Sequence, residues 1–106
     1  MADDILTALE ATIASRRGAD PDSSYVARLF TRGRAKIAQK LGEEAVEPVI
    51  AALAEDKAAL TSEAADLVFH LLVLLADAGL TLDDIRAELA RREGVSGIAE
   101  KASRPE

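Results

Sequence analysis

The chain has 106 residues, 49% of them hydrophobic, which is enough for one small domain but not two, and too apolar for a disordered polymer. Its net charge of −6 argues against a nucleic-acid-binding surface as the main function and suits a protein that gathers divalent cations. Without cysteine, a disulfide framework, a zinc thiolate site and a thiol nucleophile are all excluded. Aromatic residues make up only 3%, glycine and proline are few, and the apolar content is mostly Ala, Leu, Val and Ile. That mixture predicts a single all-α domain over residues 1–106. Residues 1–20 lack the basic start and apolar block of a signal peptide. The most apolar run, Leu67 to Ala76, is interrupted by His70 and falls well short of the ~20 residues of a membrane span. The expectation is a soluble, cytoplasmic protein with neither nucleic acid nor membrane as partner.

In chain order, residues 3–15 place Ile5, Leu6, Leu9 and Ile13 at helical spacing. The stretch RRGADPDSS breaks that pattern, with Ser23 or Ser24 available to cap a short helix over YVARLF. TRGRAK reads as a basic connection to a long helix from about Arg34 to Ala54. Asp56 is a good N-cap for the next helix, which runs to about Ala78 and stops at Gly79. Thr81 and Asp84 resemble a variant capping box opening a helix over Leu82 to Arg92. The tail, residues 94–106, carries two glycines and mixed charge, and is expected to order against substrate or a partner subunit.

The chemistry sits on the two long helices. Glu44 and Glu47 are three residues apart, as are Glu63 and Asp66, so each pair leaves one side of its helix. If the helices form an antiparallel hairpin turning near Glu55, both pairs lie roughly 14 Å from the turn, at the same level. Four carboxylates then converge on one pocket and need a cation or large pKa shifts. Oxygen-only donors favour a hard ion, Mg²⁺ or Mn²⁺. The competing reading is two solvated acidic faces, against which stand the level pairing and the neighbouring Leu60, Leu67 and Leu71. A di-iron carboxylate bundle is excluded: it needs Glu-x-x-His on two helices, and the one histidine, His70, is not at that spacing from any glutamate.

These residues also carry a resemblance. Lys40-x-x-Glu43-Glu44-x-x-Glu47 followed by Glu63-x-x-Asp66 resembles the motif of the all-α, MazG-like nucleotide pyrophosphohydrolases. The strings DPDSSYVARLF, GRAKIAQKLGEEAVE, SEAADLVFHLLVLLAD and RREGVSGIAEKASR are similar, within that group, to the phosphoribosyl-ATP pyrophosphatases of histidine biosynthesis. The likeness runs from about Leu6 to Arg104. It implies Mg²⁺-dependent hydrolysis of phosphoribosyl-ATP to phosphoribosyl-AMP and pyrophosphate by an assembly that is at least a homodimer. It further implies that Glu44, Glu47, Glu63 and Asp66 bind metal, and that Glu43 is either an extra ligand or an orienter of the attacking water. Lys40, the lysine preceding the motif, would neutralise phosphate charge.

No G-x-x-x-x-G-K-[ST] loop exists, so phosphate must be held by metal and by basic side chains. The candidates are Arg34, Lys36 and Lys40, with Lys101 and Arg104 in the tail; each has a plain surface charge as its alternative. Tyr25 either contacts the base or ribose of the substrate or anchors its short helix. His70, between Phe69 and Leu71, reads as a hydrogen-bonded, partly buried histidine rather than a general base, with a contact to Asp66 as the interesting minor case. Pro48 removes a helical hydrogen bond from the Glu44 carbonyl, yet Val49, Ile50 and Leu53 keep the apolar period, so a bend with the helix continuing is expected. Dimerisation through the apolar faces of the long helices would cover more surface than one chain can. Two rivals to the phosphoribosyl-ATP reading stand: a house-cleaning (d)NTP pyrophosphatase using the same acids, and a helical interaction module without catalysis.

Overall fold

The structure is a computed structural model and describes residues 4–104, excepting the side chain of Glu100. Among the described residues six helices follow one another: α1 (Ile5–Ser15), α2 (Tyr25–Arg32), α3 (Arg34–Leu53), α4 (Lys57–Asp77), α5 (Leu82–Arg92) and α6 (Gly97–Ser103). Among the described residues there is no strand. The expected TRGRAK connection does not exist as a loop. Thr31 and Arg32 complete α2, and Gly33 alone, at φ +90°, separates α2 from α3. Only a residue without Cβ takes that dihedral easily, and it aims two helices at one another without a linker.

Local chemistry sets the helix ends. Ser24, Asp56 and Ser96 each accept a hydrogen bond from a backbone N–H in the first turn of the helix they precede. Thr81 and Asp84 form a reciprocal capping box at α5. At the end of α4, Leu80 N–H reaches back to the Leu75 carbonyl at 2.8 Å, with Gly79 in the left-handed conformation. The end of α3 uses the same device with a worse residue. Asp56 N–H donates to the Ala51 carbonyl at 3.2 Å while Glu55 occupies the left-handed position at φ 59°. Pro48 lies inside α3, which runs on past it to Leu53.

The α3–α4 hairpin is the main packing pair, and α1 and α2 close one end of it. The core forms there, from Ile13, Val26, Leu29, Ile37, Leu72, Val73 and Leu75. Arg17 and Arg34 both pair with Asp77, and Arg34 also donates to the Asp77 carbonyl at 3.0 Å, which ties the ends of α1 and α3 to the end of α4. Helix α5 docks on α1 through polar contacts: Glu10 accepts from Leu82 N–H at 2.6 Å, and the Arg86 guanidinium reaches the Thr7 hydroxyl and Asp4.

The opposite, hairpin end is bare. Val46, Val49, Ile50 and Leu53 lie at i, i+3, i+4 and i+7 on α3 and are each more than half exposed. The radius of gyration, 15.9 Å, exceeds the ~13 Å of a compact domain of this length. At 21 residues, α4 is long and apolar enough to cross a membrane, an 18-residue window within it having mean hydropathy 1.6, although its most apolar run alone is not. It carries Glu63, Asp66 and buried His70 within that length, and it packs against α3 and α1. The tail expected to await a partner contains α6, whose described residues are all exposed.

Candidate active site

The level of the hairpin at which the acids meet follows from its turn. With Glu55 between the helices, one oxygen each of Glu44, Glu63 and Asp66 comes within 4.8 Å of the other two. Glu44 and Glu63 are half-buried and Asp66 is exposed. Glu47 stands at the edge of this trio, exposed, and its charge is the strongest of the like charges acting on Glu63. Loss of hydration pushes the Glu63 carboxyl above its ordinary range, and the negative charges of Glu47, Asp66 and Glu44 push it further in the same direction. Such a set of oxygen donors, crowded and partly desolvated, fits a hard divalent cation.

Glu43 points elsewhere. It accepts a hydrogen bond from Gln39 at 2.9 Å and pairs with Lys40 at 3.6 Å. Those contacts, the Gln39 bond first, hold its carboxyl below the usual glutamate range. Lys40 is therefore shared: its ammonium is 3.6 Å from Glu43 and 3.6 Å from Glu44. The nearby Tyr25 oxygen, and after it the two glutamates, raise the Lys40 pKa against the opposing cost of desolvation.

Behind Lys40 opens a cleft of about 260 Å³ between α2 and α3. Leu29 and Tyr25 line it on the α2 side, and its charged lining is Arg28, Arg32, Lys36, Lys40 and Glu43. Tyr25 is fixed there by α4. Its hydroxyl is 3.0 Å from His70 Nε2, and His70 Nδ1 is 2.8 Å from the Asp66 carbonyl. A carbonyl only accepts, so Nδ1 carries the hydrogen and, in the neutral ring, Nε2 accepts from the tyrosine. The Tyr25 ring stacks on Phe69 with centroids 6.2 Å apart. His70 is 6% exposed, the buried and hydrogen-bonded histidine expected of its neighbours, and its contact with Asp66 is through the backbone.

Of the basic candidates read from the sequence, Lys36 and Lys40 line this cleft and Arg34 does not, being engaged with Asp77. Lys101 lies in the last turn of α6 and Arg104 caps that helix, and neither lines the cleft. Sequence reasoning overlooked Arg28 and Arg32. The signal was present in their i,i+4 spacing on α2, but it becomes meaningful only once Gly33 is seen to fold α2 directly onto α3.

Comparison with known proteins decides the affiliation. The family model for phosphoribosyl-ATP pyrophosphohydrolase matches residues 6–93. The chain belongs to that family. It is 67% identical over 100 residues to the phosphoribosyl-ATP pyrophosphatase of Rhizorhabdus wittichii, covering 94% of each chain. It is 63% identical over 105 residues to that of Zymomonas mobilis, covering 99% of this chain and 98% of the relative. To that of Azospirillum brasilense it is 61% identical over 100 residues, covering 94% and 90%. The stretch matched to the family includes the acidic trio and the whole cleft, and it ends before α6.

Proposed function

We infer that the chain is a phosphoribosyl-ATP pyrophosphohydrolase, an enzyme of histidine biosynthesis that converts phosphoribosyl-ATP and water to phosphoribosyl-AMP and pyrophosphate. Family membership and the near-full-length relatives of that name support the reaction. The observation that carries the site assignment is the meeting of Glu44, Glu63 and Asp66 within 4.8 Å beside a cationic cleft. In this reading those three, with Glu47 at their edge, hold Mg²⁺, or Mn²⁺ of similar donor preference. Bound there, the cation supplies charge neutralisation and polarisation of the phosphoryl oxygens.

The chain's own groups do the rest by position and charge. The reaction breaks the anhydride between the α and β phosphates: the water oxygen bonds to one of the two phosphorus atoms and gives up a proton, and the bridging oxygen departs with the other fragment, so that phosphoribosyl-AMP and pyrophosphate separate. Lys40 stands between trio and cleft and offsets phosphate charge that the carboxylates alone would repel. Glu43 holds the Lys40 ammonium in place from its other side, a role that differs from ligation and from orienting water. Apolar neighbours of the acids, among them half-buried Leu60 and Leu67, limit water around them and strengthen each charge interaction.

A second copy of the chain is part of the reading. The bare α3 stripe and the extended radius of gyration support a homodimer packed through the hairpin end. Titration calorimetry with Mg²⁺ and Mn²⁺ tests the metal assignment. We expect one or more sites in the wild type and severe loss of binding in Glu44→Gln and Glu63→Gln. Unaltered metal affinity in both variants would defeat the assignment.

A further inference from the structure

We propose that the cleft between α2 and α3 is a second, metal-independent phosphate subsite that receives the phosphate of the phosphoribosyl group, with Arg28 and Arg32 separating phosphoribosyl-ATP from ordinary nucleoside triphosphates. The inference rests on the proposed function and names the part of the site that reads the substrate.

Charge segregation is the first support. In a chain of net charge −6, the cleft gathers Arg28, Arg32, Lys36 and Lys40 against one carboxylate among the described residues, Glu43. The cations come as two i,i+4 pairs, one per helix, so each pair projects from one face. The hinge at Gly33 turns the two faces onto one space.

Availability is the second. Arg32 has no carboxylate partner among the described residues. Arg28 uses its Nε for a 3.3 Å bond to the Pro21 carbonyl, which orients the guanidinium and spends no terminal nitrogen. A planar guanidinium held in that way suits bidentate recognition of phosphate. Arg34, by contrast, spends Nε and a terminal nitrogen on Asp77.

Size and position are the third. At about 260 Å³ the cleft falls below the ~300–1,000 Å³ of sites that engulf a drug-sized ligand, and a sugar phosphate is a better match than a whole nucleotide. Lys40 lines the cleft and its ammonium is 3.6 Å from Glu44 of the acidic trio, so a ligand spanning both would present a triphosphate to the carboxylates and a monophosphate to the guanidinium groups. Phosphoribosyl-ATP has these two separate phosphate groups. A nucleoside triphosphate has only the first.

Two measurements test this. Ribose 5-phosphate is titrated into the wild type in EDTA by ¹H–¹⁵N NMR, with ribose as the control. Shifts are expected at the amides of Arg28, Arg32 and Lys36 with ribose 5-phosphate only, and their loss in R28A/R32A. In kinetics, the ratio of kcat/KM for phosphoribosyl-ATP to that for ATP is expected to fall roughly tenfold to a hundredfold in R28A/R32A, mainly through KM. Both side chains are exposed, and R28K/R32K, which keeps the charge and loses the fork, should fall between. Absence of ribose 5-phosphate binding by the wild type, or equal loss on both substrates, overturns the proposal while leaving the functional reading intact. A wild type inactive on phosphoribosyl-ATP overturns the functional reading itself, and the assignment of this phosphate with it.

Discussion

The Tyr25 hydroxyl lies 3.0 Å from His70 Nε2, and through the other ring nitrogen the contact continues to the Asp66 carbonyl at 2.8 Å. This short chain joins the wall of the cationic cleft to the helix that carries half of the acidic cluster. Tyr25→Phe keeps the ring against Phe69 but leaves a ring nitrogen of the buried His70 without its partner. The expected loss is about 1–3 kcal/mol of stability. It would be seen as a lower urea midpoint with an unchanged slope. An unchanged midpoint would mean that the bond does not hold the cleft wall.

Glu63 gives a prediction with a definite sign. Burial and its acidic neighbours raise its pKa above the model-peptide 4.5, so the folded state holds that proton more tightly than the unfolded one. Without metal, the group therefore costs stability as pH rises from about 4.5 through the raised value, and the cost is complete above it. In EDTA at pH 7, Glu63→Gln should melt above the wild type, and the difference should vanish near pH 4. Adding Mg²⁺ should raise the wild-type Tm and leave the variant's nearly unmoved. An equal Mg²⁺ gain in both proteins would contradict the trio as a cation site.

At the hairpin turn, Glu55 holds φ 59° in a position where Gly79 serves at the end of α4. A Cβ in that conformation costs on the order of 1 kcal/mol. Glu55→Gly is expected to stabilise by roughly 0.5–1 kcal/mol, a Tm gain of a few degrees by calorimetry. A lower Tm would show that the Glu55 side chain contributes more than its strain removes.

The stripe Val46, Val49, Ile50 and Leu53 yields a prediction about assembly. Light scattering coupled to gel filtration should give the wild type a mass above that of one chain. The double substitution Val49→Asp with Leu53→Asp should return it to the monomer, since two charges would then face an apolar partner surface. A wild type that already runs as a monomer would remove the dimer from the reading.

Much of this was legible in the sequence because local chemistry wrote it. Asp56, Gly79 and the Thr81/Asp84 pair marked three helix boundaries, and the apolar period carried α3 past Pro48. Three of the four acids were readable for the same reason, since equal distances from a single turn bring Glu44 level with Glu63 and Asp66, whereas Glu47, expected in the same pocket, stays outside that trio. What escaped was tertiary. Nothing in TRGRAK says that one glycine at φ +90° replaces a linker, so Arg28 and Arg32 could not be placed with Lys36 and Lys40. Nor does spacing on α4 predict that Asp77 binds Arg17 and Arg34, because both partners come from distant segments.

Pyrophosphate release is the deciding assay. The wild type is assayed on phosphoribosyl-ATP and on a panel of nucleoside and deoxynucleoside triphosphates, each with Mg²⁺ and with EDTA, beside Glu44→Gln. Mg²⁺-dependent release with a marked preference for phosphoribosyl-ATP is expected, with a loss of at least about a hundredfold in the variant. Equal turnover across the panel would make it a general triphosphate pyrophosphatase, and no release from any substrate would rule out a pyrophosphohydrolase.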